Sequence, residues 1–381
     1  MPKHGAIIFA QMQVHTPMPT SIKAAVCRQF GAPLTIETVT LAEPGPGELQ
    51  IRMKVCGVCH SDITFAEGGW GGDLPMVLGH EAAGVVEAVG PGVEDYAPGD
   101  RVIATLVRAC HACRYCDREQ EFLCEAVFPL DETTPLRDAA GKPLTHAMRT
   151  GAFAEAIVVE KSQVSPLPAD VSFEIGSLIA CGVLTGYGAV TNTAKMQAGS
   201  HAVIVGCGGV GLNSVQAARN VGAATITAID LDDEKLATAQ TYGATHIVNP
   251  GRDDVAGAVH AATGGHWADY VFVTVGAGPV IERAADYLGR GGMVVIVGMP
   301  HADVMTAFNP ASFAGWSQRI IGSKMGSAKI ARDIPALLAG YLDGSLMLDD
   351  MISGRFRLDQ INEAFASTKS GKALRNVIIF D

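Results

Sequence analysis

The sequence is poor in charge and has no block of basic residues. Only 18% of its 381 residues are charged, and 39 acidic residues outnumber 28 basic ones, which gives a net charge of −11. Sites for nucleic acid or anionic lipid need clustered basic residues to neutralise phosphate. We therefore expect neither nucleic acid nor a membrane surface as a partner.

Long apolar runs are missing as well. Residues 293–297 form the longest candidate, far short of the roughly 18 residues or more that cross a bilayer. Residues 6–10 are too few for the core of a signal peptide, which takes about 7 to 15 apolar residues. The sequence therefore predicts a cytoplasmic protein without a membrane span.

A disulfide framework is not indicated either, because the nine cysteines form an odd set and six of them have spacings that suit a metal. Four of the cysteines lie on one loop. Four thiolates can close a tetrahedral shell around zinc and leave no position for a substrate, so a zinc site on this loop is predicted to be structural. Two disulfides or an iron–sulfur cluster are the alternatives. A cytoplasmic setting opposes the first, and the missing C-x₃-C-P spacing opposes the second. The loop has the pattern C-x₂-C-x₂-C-x₇-C and consists of Cys110, Cys113, Cys116 and Cys124.

The chain is long enough for about two or three domains. Residues 1–20 lack a clear period and are interpreted as an N-terminal extension. Residues 21–182 are rich in Gly and Pro with short β-type runs, including 153–159, which predicts a β-rich domain. Residues 183–324 alternate strand, turn and helix, which indicates a parallel sheet covered by helices. Residues 325–381 end in a strand and are predicted to return to the first domain.

A glycine-rich turn opens the second of these regions. Gly206, Gly208 and Gly211 have the G-x-G-x-x-G spacing between a strand and a helix, and Asp230 follows 19 residues after the last glycine. Such glycines let a pyrophosphate approach the helix N-terminus, and the acid can accept the ribose hydroxyls of adenosine. An ordinary strand–helix turn is the alternative. Because an acid repels a 2′-phosphate, the pattern favours NAD over NADP.

Six segments in order then give a resemblance. They are CHSD at 59–62, GHEAAG at 79–84, the four-cysteine loop, CGVLTGYG at 181–188, GCGGVG at 206–211 and SGKALR at 370–375. From about residue 22 to the C-terminus, the chain resembles the zinc-dependent medium-chain alcohol dehydrogenases. The resemblance implies an α/β protein in which a doubly wound parallel sheet (Rossmann) cofactor domain is inserted in a β-rich, GroES-like catalytic domain.

The resemblance also changes how four scattered residues are interpreted. Taken singly, each of the four has an ordinary interpretation. The two cysteines, Cys59 and Cys181, would be packing residues, His80 a core histidine and Glu81 a solvated acid. By resemblance, Cys59, His80 and Cys181 bind a catalytic zinc whose fourth position takes water or substrate. Glu81 lies beside them and is an occasional alternative ligand. Two zinc ions per subunit follow. An open Cys₂His zinc is a Lewis acid that ionises an alcohol, which then gives hydride to NAD and becomes an aldehyde or ketone.

Further roles follow from the same resemblance. Ser61 would start the proton relay, and Trp70, Leu106, Phe153 and Met299 would surround the substrate channel. A homodimer is implied, joined through strands near 293–299, with a homotetramer as the alternative; residues 125–150 resemble the insertion of the longer dimeric branch. The implied cofactor contacts, besides the glycines and Asp230, are His60, Thr185, Gly209, Val210, Lys235, Val297 and Arg375.

Two departures from the family pattern bear on function. Thr64 stands where many members place the histidine that ends the proton relay, so the terminal base is absent or supplied elsewhere. Residues 68–72 read GGWGG where the glutathione-dependent formaldehyde branch has acids. The substrate of that branch is therefore less expected. Because three of the four implied channel residues are large and flexible or aromatic, medium-length or aromatic primary alcohols are predicted, unless Trp70 folds across the channel and leaves room only for small ones. A thiol-dependent formaldehyde dehydrogenase and a catalytically silent zinc- and NAD-binding protein stay as alternatives.

Overall fold

The computed structural model describes residues 19–381, so residues 1–18 of the predicted extension lie outside the described part. The first strand begins at Thr20 and takes in the last residue of that extension. The strands are β1 (Thr20–Cys27), β2 (Thr35–Leu41), β3 (Glu48–Val58), β4 (Met76–Val77), β5 (Glu81–Val89), β6 (Arg101–Ala104), β7 (Leu136–Arg137), β8 (Pro143–His146), β9 (Ala156–Glu160), β10 (Val164–Pro166), β11 (His201–Val205), β12 (Thr225–Ile229), β13 (His246–Val248), β14 (Ala268–Val273), β15 (Leu288–Ile296), β16 (Arg319–Gly322), β17 (Ile352–Arg357) and β18 (Arg375–Ile379). The α-helices are α1 (His60–Ala66), α2 (Pro129–Glu132), α3 (Phe173–Leu178), α4 (Leu184–Gly188), α5 (Gly209–Val221), α6 (Asp233–Tyr242), α7 (Val255–Ala262), α8 (Gly278–Arg283), α9 (Pro310–Trp316), α10 (Ile330–Leu342) and α11 (Ile361–Lys369).

The N-terminal region forms a closed barrel, in the order β1-β2-β7-β8-β4, and a seven-stranded sheet. In that sheet the order is β10-β6-β5-β3-β18-β17, and β9 pairs with β3 off this path. Strand β3 is the centre, because almost all of its residues are buried and it pairs with β5, β9 and β18. The C-terminal strand β18 therefore completes a sheet that the first third of the chain begins.

Residues 153–159 do not form one strand, contrary to the sequence-based prediction. Strand β9 begins only at Ala156. Phe153 precedes it in irregular backbone, where its N–H donates to Leu78 O at 2.8 Å and its carbonyl accepts from Ala25 N at 2.8 Å. These bonds attach the start of the predicted run to the barrel instead of to β3.

Besides the barrel and the seven-stranded sheet, the structure contains a sheet of six parallel strands, in the order β13-β12-β11-β14-β15-β16. Its central strands are continuous apolar runs such as HAVIV in β11 and TITAI in β12. Runs of this kind are typical of parallel strands that helices cover on both faces. Two hydrophobic clusters lie on opposite sides of β11, one with Ile204 and the other with Val203 and Val205.

Strand β15 is an inner strand, so its backbone is already paired on both sides, and the dimer contact predicted near 293–299 stays a prediction. It pairs with β14 on one side and β16 on the other. The outer strands of this sheet are β13 and β16, each of which pairs with another strand on one side only among the described residues.

One helical run connects the two sheets. Residues Phe173–Thr193 have the length and composition of a membrane span, which the sequence analysis did not anticipate, but 83% of their most apolar window is buried inside the protein. The run therefore has the surroundings of a core helix. Its middle, Ile179–Val183, widens into a π-helical turn that contains Cys181. Such turns are frequent at functional sites.

Candidate active site

Asp62 organises the first part of the site. It lies in the first turn of α1, is fully buried, and accepts hydrogen bonds from Cys59 N at 3.0 Å and Gly79 N at 2.9 Å. The same carboxylate lies 3.2 Å from Nδ1 of His80. Sequence reasoning gave Asp62 no role. The signal that could have found it is an acid in the first turn of a helix, placed to accept the backbone N–H of the residue before that helix.

Four side chains from three segments converge beside Asp62. The ligating atoms of Cys59, His80, Glu81 and Cys181 all lie within 4.8 Å of one another. Glu81 begins β5 and His80 immediately precedes it, and Cys181 comes from the π-helical turn, with its Sγ 3.3 Å from His80 Nε2. Two thiols and an imidazole held this closely form the donor set that zinc prefers.

The electrostatics of the cluster suit a cation. The pKa of Cys59 lies well below its usual value, first because the Cys181 thiol donates to it and then, against the effect of burial, because of His80 and Arg375. Burial alone would lower the pKa of His80, but the charge and hydrogen bond of Asp62 outweigh it and raise that pKa. Hydrogen bonding of a ligand histidine to a carboxylate increases its basicity as a metal ligand.

Glu81 supplies an unpartnered acceptor to the same cluster. Its Oε1 accepts from Arg375 Nη1 at 3.1 Å, whereas its buried Oε2 has no hydrogen-bond partner. Burial raises the pKa of Glu81 to about 8, although Arg375 opposes the shift. A buried oxygen without a partner is costly. A metal ion at the cluster would offset this cost, so the residues present fit a bound zinc.

Two residues line the cluster on its other sides. The Oγ of Ser61 lies 3.4 Å from His80 Nε2 and is the hydroxyl that α1 presents to the cluster. Sequence reasoning missed Met325, whose Sδ lies 3.9 Å from Cys181 Sγ and 3.7 Å from Thr185 Oγ1. No pattern in the sequence marks a methionine distant in the chain as a neighbour of Cys181.

The second cysteine cluster is separate and self-contained. The Sγ atoms of its four members also lie within 4.8 Å of one another. Backbone N–H groups of Cys116 and Glu125 lower the pKa of Cys113 to about 6, which favours its thiolate. Outside the cluster, Lys329 Nζ lies 3.5 Å from Glu119 Oε1 and ties the loop to the segment before α10. Four thiols at this spacing fit a closed tetrahedral metal site.

The glycine turn lies between β11 and α5. Gly206 has a φ of +95°, and a Cβ on Gly211 would lie 1.8 Å from Gly206 O, so both positions require glycine. A Cβ on Gly208 would meet no atom within 4 Å, which shows open space above the turn. Asp230 follows β12 and accepts from Cys207 N at 2.7 Å. The turn, the open space and the acid fit a dinucleotide.

Arg375 connects the two halves of the site. It lies at the start of β18, pairs with Glu81, and its Nε would lie 3.0 Å from a Cβ on Gly209. Desolvation first, then the charges of Arg375 and Lys235, lower the pKa of His60, so these three basic groups face one region. Of the other predicted cofactor contacts, Thr185 lies beside Cys181, Val210 begins α5 next to Gly186, and Val297 follows β15.

The four predicted channel residues do not form one wall. Leu106 packs on the hydrophobic cluster that contains Cys181, whereas Phe153 is fully buried and packs against Phe365 in the core of the barrel region. Met299 is 61% exposed. Trp70 bridges between the two sheets, because its indole N–H donates to Pro300 O at 2.7 Å. Phe153 therefore offers no accessible surface, and the Trp70 side chain reaches the segment that follows β15.

Known proteins share both domains of this chain. Residues 45–169 match the alcohol dehydrogenase GroES-like domain family, and residues 209–340 match the zinc-binding dehydrogenase family. The S-(hydroxymethyl)glutathione dehydrogenase of Paracoccus denitrificans is 34% identical over 378 residues, covering 94% of this chain and 99% of that protein.

Solved structures give the same result. An alcohol dehydrogenase zinc-binding domain protein from Burkholderia ambifaria has a TM-score of 0.90 and 35% identity, covering 96% of this chain and all (100%) of that one. The benzyl alcohol dehydrogenase of Acinetobacter calcoaceticus has a TM-score of 0.88 and 27% identity, covering 95% of this chain and 100% of that one. The chain therefore belongs to the zinc-dependent medium-chain alcohol dehydrogenase family.

Proposed function

We propose that the protein is an NAD-dependent zinc alcohol dehydrogenase that interconverts an alcohol with its aldehyde or ketone. The observation that carries this proposal is the cluster of Cys59, His80, Cys181 and the unpartnered Glu81, which Arg375 joins to the glycine turn. The order of the six parallel strands is that of doubly wound Rossmann sheets, in which dinucleotides bind at the switch of strand order.

Each half of the site would hold one of the groups that the reaction needs. Zinc would be held by Cys59, His80 and Cys181, and NAD by the glycine turn, Asp230 and the basic groups His60, Lys235 and Arg375. When bound, zinc supplies Lewis acidity to the alcohol oxygen and NAD accepts a hydride. Asp62 fixes the orientation of His80, and Ser61 is placed to take the proton that the alcohol loses. The four-cysteine loop would hold a second, structural zinc.

We propose medium-length or aromatic primary alcohols as substrates. The relative named benzyl alcohol dehydrogenase supports this choice, and so does the apolar cover that Leu106 and Met325 give to the cluster. Each buried methylene of a fitting alcohol contributes about 0.8 kcal/mol. Because the Trp70 side chain reaches Pro300 on the other side of the cleft, it would limit the length of the substrate.

The decisive experiment measures NADH absorbance with ethanol, hexanol and benzyl alcohol, together with zinc content. We expect two zinc ions per subunit, turnover with NAD exceeding that with NADP, and the highest kcat/KM for hexanol or benzyl alcohol. Trp70→Ala should raise kcat/KM for the two larger alcohols relative to ethanol. A preparation without zinc that still turns over would refute the proposed chemistry, and a maximum at ethanol would refute the substrate class.

A thiol-dependent formaldehyde dehydrogenase is the second candidate, because the Paracoccus denitrificans relative carries the name S-(hydroxymethyl)glutathione dehydrogenase. The same assay distinguishes the two. Turnover of formaldehyde only in the presence of glutathione, without turnover of simple alcohols, would favour this candidate. No turnover of any substrate by zinc-loaded, NAD-binding protein would favour a catalytically silent member.

We further propose a homodimer that forms along the β16 edge of the six-stranded sheet. Strand β16 leaves Ile321 38% exposed, and the irregular segment that joins β15 to α9 leaves Met305 88% exposed. Exposed apolar side chains next to a free strand edge are typical of association sites.

A further inference from the structure

Two short segments meet across the cleft between the sheets. The first follows α1 and contains Gly69 and Trp70; the second follows β15 and contains Pro300, His301 and Ala302. Trp70 donates its indole N–H to Pro300 O at 2.7 Å, and Ala302 N donates to Gly69 O at 3.0 Å. The residues on both sides of His301 are therefore attached to the catalytic half of the molecule.

The imidazole of His301 lies directly on Gly69 and beside Thr64. A Cβ on Gly69 would lie 2.9 Å from both Cγ and Cε1 of His301, and 2.8 Å from Cγ2 of Thr64. Only glycine leaves space for this contact. His301 is exposed, so its ring also reaches solvent.

Oxidation of an alcohol releases one proton that has to leave the buried cluster. Ser61 is the hydroxyl beside the cluster, and Thr64 lies three residues further along α1, on the same helix face. Thr64 is not a base at neutral pH, and its hydroxyl donates to His60 O at 3.0 Å. Imidazole is the side chain whose ordinary pKa suits this step.

Other titratable groups occur in the segments that form this junction. They are His60, Glu67 and Asp73 in and after α1, and Asp303 on the same segment as His301. Glu67 pairs with Lys369, and Asp73 and Asp303 are exposed.

We propose that His301, which the cofactor sheet places over Thr64, is the residue that receives the proton from Ser61 and passes it to solvent. The inference rests on the proposed alcohol dehydrogenase activity. The alcohol O–H gives its proton to Ser61 Oγ, whose own proton moves through an intervening water to the neutral imidazole. The imidazolium then releases the proton to bulk water, so no charge accumulates. His301 acts through Ser61 without contact with the alcohol, which makes it a positioning residue of the relay.

The test compares His301→Gln, Gly69→Ala and the control His266→Gln, an exposed histidine of the cofactor region that is not part of the junction. We expect His301→Gln to lower kcat for alcohol oxidation at and above pH 7, where an ordinary imidazole is neutral and can accept a proton, by about tenfold, less than full loss of a general base because water substitutes in part. KM should change little, and the histidine limb of the pH profile should disappear. Gly69→Ala, which displaces the ring, should give the same change, whereas His266→Gln should match the wild type.

Two further measurements separate a relay from a structural role. Thr64→His in the His301→Gln background should restore the lost rate and the pH profile. In stopped flow with a pH indicator, the proton released on binding NAD and trifluoroethanol, which resists oxidation, should appear more slowly in His301→Gln. An unchanged pH profile and unchanged proton release in His301→Gln would overturn the inference and point to His60. Absence of alcohol oxidation in the wild type would instead refute the proposed function.

Discussion

Asp62 is the residue on which both the start of α1 and the orientation of His80 depend. Asp62→Asn removes the negative charge but keeps an oxygen of similar position. Loss of the carboxylate partner of a ligand histidine typically lowers metal affinity by about 10–100-fold. We expect this loss at the catalytic cluster alone, measured as zinc retained against a chelator. Asp73→Asn, an exposed acid nearby, is the control, and equal zinc retention in the two variants would contradict the assignment.

His146 predicts an acid-sensitive stability. Burial, with a smaller effect of Arg108, lowers the pKa of His146 to about 4, and its Nε2 has no partner. At neutral pH the His146 ring is neutral in both the folded and the unfolded protein. Between pH 6.5 and 4 the unfolded chain binds a proton that the folded protein does not. Stability therefore falls as the pH falls through this window, by about 3 kcal/mol in total from this group.

His146→Gln should remove that contribution. We expect the variant to lose less stability than the wild type between pH 6.5 and 4, even if it is less stable at pH 7. Urea unfolding at several pH values measures the difference, and the exposed His266→Gln serves as the control. Parallel curves for His146→Gln and the wild type would show that the ring is not buried in its neutral form.

The turn between β11 and α5 makes a prediction at the scale of a structural element. Gly208 has open space around it, so Gly208→Ala should fold normally and yet place a methyl group where a pyrophosphate would approach. We expect NADH to bind about tenfold more weakly, equivalent to about 1.4 kcal/mol. Gly315→Ala in α9, another glycine with nothing within 4 Å of its Cβ, is the matched control. Fluorescence titration and thermal unfolding decide, and unchanged NADH affinity would place the cofactor elsewhere.

The sequence predicts helices and strands that have a strong hydrophobic pattern, but it does not predict which distant segments lie next to one another in the fold. The predicted alternation of strand, turn and helix within residues 183–324 appears in β11, α5 and β12, and the strand predicted at the end of the chain appears as β18. The position of β15 inside the sheet depends on β16, which no local pattern marks as its neighbour. Phe153 shows the same limit, since its β-type neighbours do not reveal that its backbone pairs with Ala25. The convergence of Asp62 and Met325 on the cluster likewise requires the fold.

At the scale of the whole molecule, the edge of the six-stranded sheet predicts association. Met305→Asp places a charge on the most exposed large apolar side chain, which should disfavour burial against a second copy. We expect sedimentation to show a shift from dimer to monomer. Leu342→Asp, at an exposed apolar residue at the end of α10, should leave the dimer intact. If both variants keep the wild-type mass, the subunits meet through another surface.

The pairing of β18 with β3 has a consequence for synthesis on the ribosome. Glu81 and Arg375, which form a buried ion pair, are 294 residues apart in the chain. At about 5–20 residues per second, roughly 15 to 60 s pass between their emergence. During this time the nascent chain carries an unpaired edge at β3, which favours aggregation, and an acid without its counter-charge, which disfavours burial of that part of the sheet. Damage to the last strand would therefore appear first as a loss of yield during expression, before any effect on catalysis could be measured.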